Sequence, residues 1–281
     1  MTEDADFFAS SYAQARRKFL DAAQAAGLAV ESWIHPNQGR DGEELAMDVA
    51  LDRPPDAGKV LVLSSGCHGI EGFCGSGIQV AALRDPQWRR HASERGVAVL
   101  YVHALNPYGF SYLRRTTNEN VDLNRNFHDF SAPLPGNPSY REVHDLLVPN
   151  EWPPSTQNQQ AVARYIAERG LPALQAAVSG GQHEFPDGLF YSGTAPTWSN
   201  LAIREVLRQH CRRAARLGWI DFHTGLGPSG VGERIFAGPN DDASIARARV
   251  VGQQRHHPGD IDARRLVQFG APHGPHVDRG A

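Results

Sequence analysis

The sequence has few cysteines, no long apolar run and no strong excess of charge of one sign. Three cysteines among 281 residues argue against a disulfide framework and favour a reducing compartment such as the cytoplasm. No stretch approaches the roughly 18 consecutive apolar residues of a membrane helix, and the first residues lack the pattern of a secretory signal. The net charge of −3, with histidine counted as neutral, gives no basic surface for nucleic acid. We expect a soluble cytoplasmic protein without a membrane or nucleic-acid partner; the oligomeric state stays open.

The composition is that of an ordinary α/β protein. Apolar residues make up 41% of the chain and charged residues 21%, which suits a globular domain with a sizeable core. The runs 59–65 (KVLVLSS) and 97–105 (VAVLYVHAL) have the pattern of strands buried on both faces. Apolar residues at helical spacing fill 7–28 and 72–84. This order predicts a single domain over 1–251, with a mainly parallel mixed central sheet flanked by helices.

Further elements are indicated on either side of a long polar stretch. Residues 46–51 alternate like an edge strand, and 218–225 (GWIDFHTG) has the pattern of a strand that ends in polar residues. Helical spacing recurs in 156–170 and 198–215. A further strand is expected at 233–238.

The carboxyl-terminal segment 252–281 differs from the rest of the chain. It is rich in Arg, His, Gly and Pro, contains no glutamate, and has no clear helix or strand pattern. We predict that it does not belong to the packed domain. A truncated or frame-shifted end and a natural divergent tail both account for this composition.

Polar side chains follow three of the predicted strands. His68 and Glu71 come after the first buried strand, Asn106 after the second, and His223 at the end of the run 218–225. Ligands of open α/β sheets gather beyond the carboxyl ends of the strands. A catalytic zinc ion typically takes three protein ligands, often two histidines and one carboxylate, and these residues supply that set. Asp221 lies two residues before His223, where it could orient the imidazole.

The segment RRTTNENVDLNRNF (114–127) supplies groups that could bind a carboxylate. A guanidinium binds a carboxylate through two parallel hydrogen bonds, and Arg125 has the amide of Asn124 beside it. A second arginine, Arg114 or Arg115, could stabilise an oxyanion. From these residues alone, a solvated basic loop remains the alternative.

Two other positions have an open interpretation. The segment GGQHEFPDGLFYSG (180–193) contains His183 and Glu184, which either line a pocket or belong to a polar connecting loop. Cys67 directly precedes His68, and successive side chains of an extended segment point to opposite sides. We therefore expect Cys67 to serve packing rather than metal binding.

Taken together, these motifs resemble the zinc carboxypeptidase superfamily, which includes the metallocarboxypeptidases, the aspartoacylases and the succinylglutamate desuccinylases. The matching motifs, in order, are HxxE at 68–71, NPxG at 106–109, VDLNRNF at 121–127 and DFHTGLG at 221–227. The resemblance covers about residues 45–240 and is nearest to a bacterial branch. It implies a zinc-carboxypeptidase-like fold and a Zn²⁺ cofactor.

The resemblance also implies a role for each matching residue. The implied zinc ligands are His68, Glu71 and His223. Asn124 and Arg125 match the pair that grips the substrate carboxylate, and Arg115 or its neighbour Arg114 matches the arginine that polarises the scissile carbonyl. The implied reaction is zinc-promoted attack of water on an amide. The substrate would be a small peptide or an N-acyl amino acid with a carboxylate near the scissile bond.

One element of the family pattern is missing. The family carries its general base, a glutamate, on a strand well downstream of the third zinc ligand. After His223 the sequence contains only Glu233, and Glu184 is the other substitute. Two functions therefore stay open: a zinc-dependent amide hydrolase, impaired by the missing base, and a non-catalytic zinc- or peptide-binding remnant of the same fold. A serine hydrolase is disfavoured because the chain has no GxSxG motif.

Overall fold

The computed structural model describes residues 3–225, 232, 235 and 241–246. Three predicted features lie outside the described residues. They are the tail 252–281, Glu233, and the strand expected at 233–238 except for residue 235. The chain divides into two compact units. Among the described residues, the first joins the chain up to Arg115 with the chain after Thr197, and the second is Thr116–Thr197. The domain boundary expected at 251 stays a prediction.

The first unit contains one mixed sheet. Its strands within the described residues are β1 (Val30–Gln38), β2 (Glu44–Asp52), β3 (Lys59–Ser65), β4 (Val97–His103) and β5 (Arg216–Phe222). Their order in the sheet is β1-β2-β4-β3-β5. Strand β3 pairs in parallel with β4 and β5, whereas β2 pairs antiparallel with β1 and β4. The predicted α/β class with a mixed sheet is confirmed, although the described strands form as many antiparallel as parallel pairs.

Helices account for most of the remaining regular structure. The α-helices with both ends in the described residues are α1 (Tyr12–Ala25), α2 (Gly72–Arg84), α3 (Pro86–Glu94), α4 (Pro107–Ser111), α5 (Pro138–Leu147), α6 (Thr156–Arg169), α7 (Leu171–Ser179) and α8 (Trp198–Cys211). Short 3₁₀ turns occupy Glu3–Phe7, Gly69–Glu71 and Leu123–Arg125. No helix within the described ranges combines the length and apolarity that spanning a bilayer requires.

The edge of the sheet differs from the prediction. The strand expected at the edge, β2, lies between β1 and β4, and the edge position on that side belongs to β1. The sequence of β1, VESWIHPNQ, shows no regular alternation of apolar residues, and His35 is its one fully buried side chain. Pro36 cannot donate a ladder hydrogen bond, and the register shifts between Ile34 and Gln38. The periodicity that identifies a strand is therefore absent from β1.

The core of the first unit holds the parallel strands in register. Phe19 of α1, Leu63 of β3, Val80 of α2, Tyr101 of β4 and Phe222 of β5 belong to one buried cluster. Burying each such side chain contributes about 1.5–3 kcal/mol relative to exposure. Because the cluster joins four strands and three helices, it fixes the strand ends from which the polar residues project.

The second unit is built on a smaller cluster around Tyr140, Val143 and Ala177, against which Phe185 packs. The Tyr140 hydroxyl accepts a hydrogen bond from the Leu189 backbone at 2.6 Å. This contact ties the loop after α7 to helix α5.

Candidate metal centre

A tight turn carries the first two polar residues of the site. Strand β3 ends at Ser65, and Gly66 then adopts φ +67°, a conformation that favours glycine. His68 precedes the 3₁₀ turn Gly69–Glu71, which leads directly into α2. A Cβ atom on Gly69 would collide with the backbone of Gly109. The chain can therefore bring His68 and Glu71 to the strand end only with glycine at this position.

The same turn is held by the segment that carries the two arginines. The backbone N–H of Gly69 donates to the carbonyl of Arg115 at 3.3 Å, and that of Ile70 donates to the carbonyl of Arg114 at 3.1 Å. Asn106 donates from Nδ2 to the Arg115 carbonyl at 3.4 Å, and its Oδ1 accepts from the Gly109 N–H at 2.8 Å. Asn106 thus caps α4 and supports the turn.

His68, Glu71 and His223 converge at the carboxyl ends of β3 and β5. The Nδ1 atom of His68 lies 2.9 Å from Glu71 Oε1, and His223 Nδ1 lies 3.1 Å from Glu71 Oε2 and 3.2 Å from His68 Nδ1. One ligand atom from each of the three residues lies within 4.8 Å of the others. The backbone N–H of Thr224 donates to Glu71 Oε2 at 2.8 Å, which helps to orient the carboxylate.

A second set of contacts orients His223. Its Nε2 atom lies 2.7 Å from Asp221 Oδ2, and the other oxygen of this fully buried carboxylate accepts from the Ser64 hydroxyl at 2.7 Å. The indole N–H of Trp219 donates to the same hydroxyl at 2.7 Å. Ser64 and Asp221 are register partners in the β3–β5 ladder, so the sheet itself sets this network.

The contacts within the cluster shift the pKa of Glu71 and of His223. Burial alone would raise the pKa of Glu71, but hydrogen bonds from His223 and His68 outweigh it and hold that pKa well below its usual range. Burial alone would lower the pKa of His223, but its hydrogen bonds to Asp221 and Glu71 raise it to about 10. The cluster therefore stabilises positive charge beside a carboxylate, as a cation-binding site does.

Cys67 belongs to another group of closely spaced ligand atoms, with Asp221 and His223. Cys67 and Asp221 are both buried. The Asp221 oxygens already contact His223 and Ser64, so we assign Asp221 to the orientation of His223.

The two arginines that follow α4 differ in their contacts with this cluster. Arg115 Nη1 lies 3.8 Å from Glu71 Oε1, and its side chain is 38% exposed. Arg114 contributes its carbonyl to the turn that carries Glu71. The guanidinium of Arg115 therefore lies beside the cluster and remains accessible to a ligand.

Asn124 and Arg125 lie in the second unit, on the 3₁₀ turn Leu123–Arg125. Arg125 donates from Nε and Nη2 to the carbonyl of Ser179, at 3.0 and 2.8 Å. Its guanidinium carbon lies 5.3 Å from the centre of the Phe190 ring. These contacts orient the guanidinium within the second unit.

Glu184 also lies in the second unit, where it forms a bidentate ion pair with Arg141. The three contacts between their side chains measure 2.7, 2.8 and 3.1 Å. The hydrogen bonds from Arg141 lower the pKa of Glu184. A carboxylate in this state is a poor proton acceptor, so the geometry disfavours Glu184 as a general base.

Comparison with known protein families identifies the family of this chain. Residues 8–266 match the profile of a family described as "Protein of unknown function (DUF2817)". The chain belongs to the DUF2817 family. No curated protein sequence matches this DUF2817 chain.

Solved structures resemble the DUF2817 chain in fold. The crystal structure of thrombin activatable fibrinolysis inhibitor (TAFI) is 13% identical, with 89% of this chain and 56% of that chain covered and a TM-score of 0.50. Carboxypeptidase A from Helicoverpa armigera is 14% identical, with coverages of 84% and 50% and a TM-score of 0.43. A putative succinylglutamate desuccinylase/aspartoacylase from Shewanella frigidimarina is 15% identical, with coverages of 78% and 51% and a TM-score of 0.38.

The DUF2817 chain therefore spans about half the length of these structures. At such low identity the likeness concerns the fold alone. It confirms the carboxypeptidase-like α/β architecture predicted from the order of the motifs.

Proposed function

We propose that this chain is a zinc-dependent hydrolase of amide bonds, of the metallocarboxypeptidase or N-acyl amino acid deacylase type. The observation that carries the proposal is the convergence of His68, Glu71 and His223, whose ligand atoms lie within 4.8 Å of one another. Two imidazoles and one carboxylate form the donor set of a catalytic zinc site, whereas structural sites usually contain four protein ligands rich in cysteine. The residues present therefore fit Zn²⁺, which when bound supplies Lewis-acid polarisation of a carbonyl and acidification of water.

Asp221 acts in this proposal as the positioning residue. Its carboxylate lies against Nε2 of His223, and only a protonated ring nitrogen can donate to a carboxylate oxygen. The Nε2 proton is therefore retained when a metal ion displaces the second proton of the ring, and Nδ1 would then offer a lone pair on the side of His68 and Glu71. Ser64 and Trp219 hold the carboxylate in place through the hydroxyl of Ser64.

The arginines act on the substrate. Arg115, accessible beside Glu71, would stabilise the negative charge that develops on the scissile carbonyl oxygen, with Arg114 as the alternative. Asn124 and Arg125 would bind the substrate carboxylate, for which the orientation of the Arg125 guanidinium by Ser179 and Phe190 is favourable. The proposed substrate is a small peptide or an N-acyl amino acid with a carboxylate near the scissile bond.

Within the described residues none of the three cysteines forms a disulfide, which agrees with a reducing compartment such as the cytoplasm as the proposed location.

A second candidate function is a zinc- or peptide-binding protein without turnover. It is favoured by the ion pair between Glu184 and Arg141 and by the lack of glutamate in residues 252–281. Both functions require the metal centre, so zinc content alone does not distinguish them.

The deciding experiment measures zinc content and hydrolysis in the same preparations. The full-length chain is loaded with Zn²⁺ and assayed against peptides with a free carboxyl terminus and against N-acyl amino acids. We expect one tightly bound zinc at the metal centre and slow hydrolysis, both lost in His68→Gln and both kept in His91→Gln, which changes an exposed histidine of α3. Stoichiometric zinc with no hydrolysis above the His68→Gln background would support the binding protein instead.

A further inference from the structure

The second unit contains another pair of imidazoles. The rings of His128 and His183 have centroids 4.8 Å apart and an interplanar angle of 69°. The corresponding values for His68 and His223 at the candidate metal centre are 4.7 Å and 65°. The second pair therefore has nearly the same ring spacing and tilt as the two imidazoles of the metal centre.

A backbone carbonyl determines which nitrogen of His183 carries the proton. His183 Nδ1 lies 2.5 Å from the carbonyl oxygen of Gly193. A carbonyl oxygen only accepts, so Nδ1 must donate an N–H, and Nε2 is left with a lone pair. Histidines that bind metals are usually held in this way.

Both rings are also accessible and suited to the neutral state that metal binding requires. His128 and His183 are each partly exposed. Burial and the neighbouring His183 lower the pKa of His128, which keeps its imidazole unprotonated at neutral pH. A metal ion does not then have to displace a proton from that ring.

We propose that His128 and His183 form a two-histidine site for a transition-metal ion of the Cu²⁺, Ni²⁺ or Zn²⁺ class, which prefers imidazole ligands. Among the described residues, neither histidine belongs to a group of three metal-binding side chains. The remaining coordination positions therefore fall to water or to a small ligand. Affinity should follow the general order for such sites, with Cu²⁺ bound more tightly than Ni²⁺ or Zn²⁺.

A bound ion would join two segments of the second unit. His128 follows the turn that carries Arg125 by three residues, and His183 lies in the loop closed by the bridge between Gln182 and Tyr191. An ion held by both rings therefore restrains the backbone next to Arg125. The site is independent of the proposed hydrolase activity, because it uses other residues.

The competing explanation is a simple edge-to-face contact between aromatic rings. Phe130 also stands edge-to-face to His128, with centroids 6.1 Å apart, and such contacts contribute about 0.5–1.5 kcal/mol without any ion. Direct measurement of ion binding separates the two explanations.

The test uses the full-length chain with His68→Gln and His223→Gln, which removes both imidazoles of the metal centre. This protein is freed of metal and titrated with Cu²⁺ by calorimetry, and the spectrum of the complex is recorded by electron paramagnetic resonance. We expect one Cu²⁺ with splitting from two imidazole nitrogens. Adding either His128→Gln or His183→Gln should abolish this tight binding step and the two-nitrogen splitting.

A matched control removes another pair of histidines. His256 and His257 are adjacent in the carboxyl-terminal segment, and their joint replacement by glutamine should leave the tight Cu²⁺ step in place. Equal Cu²⁺ binding and an unchanged spectrum in the His128→Gln protein would overturn the proposal and leave a ring contact only. If His183→Gln does not fold, as judged by circular dichroism, the partly exposed His128 decides the outcome by itself.

Discussion

Asp221 Oδ2 lies 2.7 Å from Nε2 of His223. The other ring nitrogen of His223, Nδ1, makes the contacts with His68 and Glu71. The carboxylate is fully buried and also accepts the Ser64 hydroxyl. The pair therefore works as one unit, in which a sheet-bound carboxylate sets the tautomer and orientation of a candidate metal ligand.

The first prediction concerns this contact. Asp221→Asn keeps the size of the side chain but removes the negative charge that holds the proton on Nε2. Zinc affinity should fall by roughly 10- to 100-fold, the usual effect of losing a carboxylate behind a ligating histidine. Competition with a chromophoric chelator measures this affinity. Asp52→Asn, at a partly exposed ion pair with Arg89, is the control, and equal affinities in the two variants would rule out the positioning role.

The second prediction concerns the turn before α2. Gly69→Ala places a Cβ against the backbone of Gly109 and Phe110, which cannot move aside as a flexible side chain can. Overpacking of this kind costs about 1–3 kcal/mol of stability, and zinc affinity should fall because His68 and Glu71 flank the turn. Urea unfolding and zinc titration provide the two measurements.

Gly58→Ala is the matched control for this turn. No atom lies within 4 Å of a Cβ at Gly58, so both its stability and its zinc affinity should stay close to those of the parent chain. Similar losses in the two glycine variants would show that the close approach at Gly69 is not what holds the turn.

Features that depend on local periodicity could be predicted from the sequence. The apolar runs predicted β3 and β4, and helical spacing predicted α2 with its observed bounds. The order of the motifs predicted the fold. Strand β1 was not predicted because His35 is its one buried side chain, so the strand shows no alternation of apolar residues. Because β1 was missing from the prediction, β2 was wrongly expected at the edge of the sheet.

Features that depend on strand register could not be predicted. The alternation of a strand puts Asp221 and His223 on one face, and this was visible in the sequence. The contribution of Ser64 and Trp219 was not, because it requires Ser64 to stand opposite Asp221 in the β3–β5 ladder. The pairing of Glu184 with Arg141 likewise joins a loop to α5, and no local pattern indicates it.

The third prediction concerns recognition of the substrate. Arg125→Ala should raise KM for substrates with a carboxylate roughly ten- to a hundredfold, since losing one charge-assisted pair costs about 1.5–3 kcal/mol. The matching amide analogues should be affected little. The comparison is made by steady-state kinetics on both substrate kinds, with Arg141→Ala as the control for loss of a surface charge. An equal change for acids and amides would remove Arg125 from carboxylate binding.

The fourth prediction concerns stability and pH. His103 is fully buried, with Nε2 2.8 Å from the Ser76 hydroxyl and, in the described part of the chain, no partner for Nδ1. Burial is the largest cause that lowers its pKa from 6.5 to about 4; Asp48 acts in the opposite direction and Arg16 in the same direction.

A histidine with a lowered pKa in the folded state binds its proton more readily when the chain unfolds. Its contribution to stability is therefore complete above pH 6.5 and is lost as the pH falls towards 4, by about 3 kcal/mol in all. Urea unfolding between pH 8 and pH 4.5 should show this loss in the parent chain and in His91→Gln. In His103→Gln, which is less stable at pH 8, the decline should be shallower. An equal slope in all three proteins would exclude His103 as its source.

The last prediction concerns the rate of hydrolysis. A positioned general base typically contributes 10²–10⁴-fold, by taking a proton from water and passing it to the leaving amine. Glu184, one of the two substitutes in the sequence, is held by Arg141 in a bidentate pair with a lowered pKa. Glu184→Gln should therefore change kcat little, because a solvent-screened ion pair at the surface contributes little.

The same reasoning predicts slow turnover by the zinc-loaded chain of 281 residues. If another reading frame after about residue 250 encodes a strand with a glutamate, a version with that carboxyl end should be faster by up to the roughly 10²–10⁴-fold that a base contributes. Single-turnover rates of the two proteins with the same substrate test this. Equal rates would show that the present chain already has its general base. In that case, a rate lost in Glu184→Gln but kept in Arg141→Ala would identify Glu184 as the base despite its ion pair.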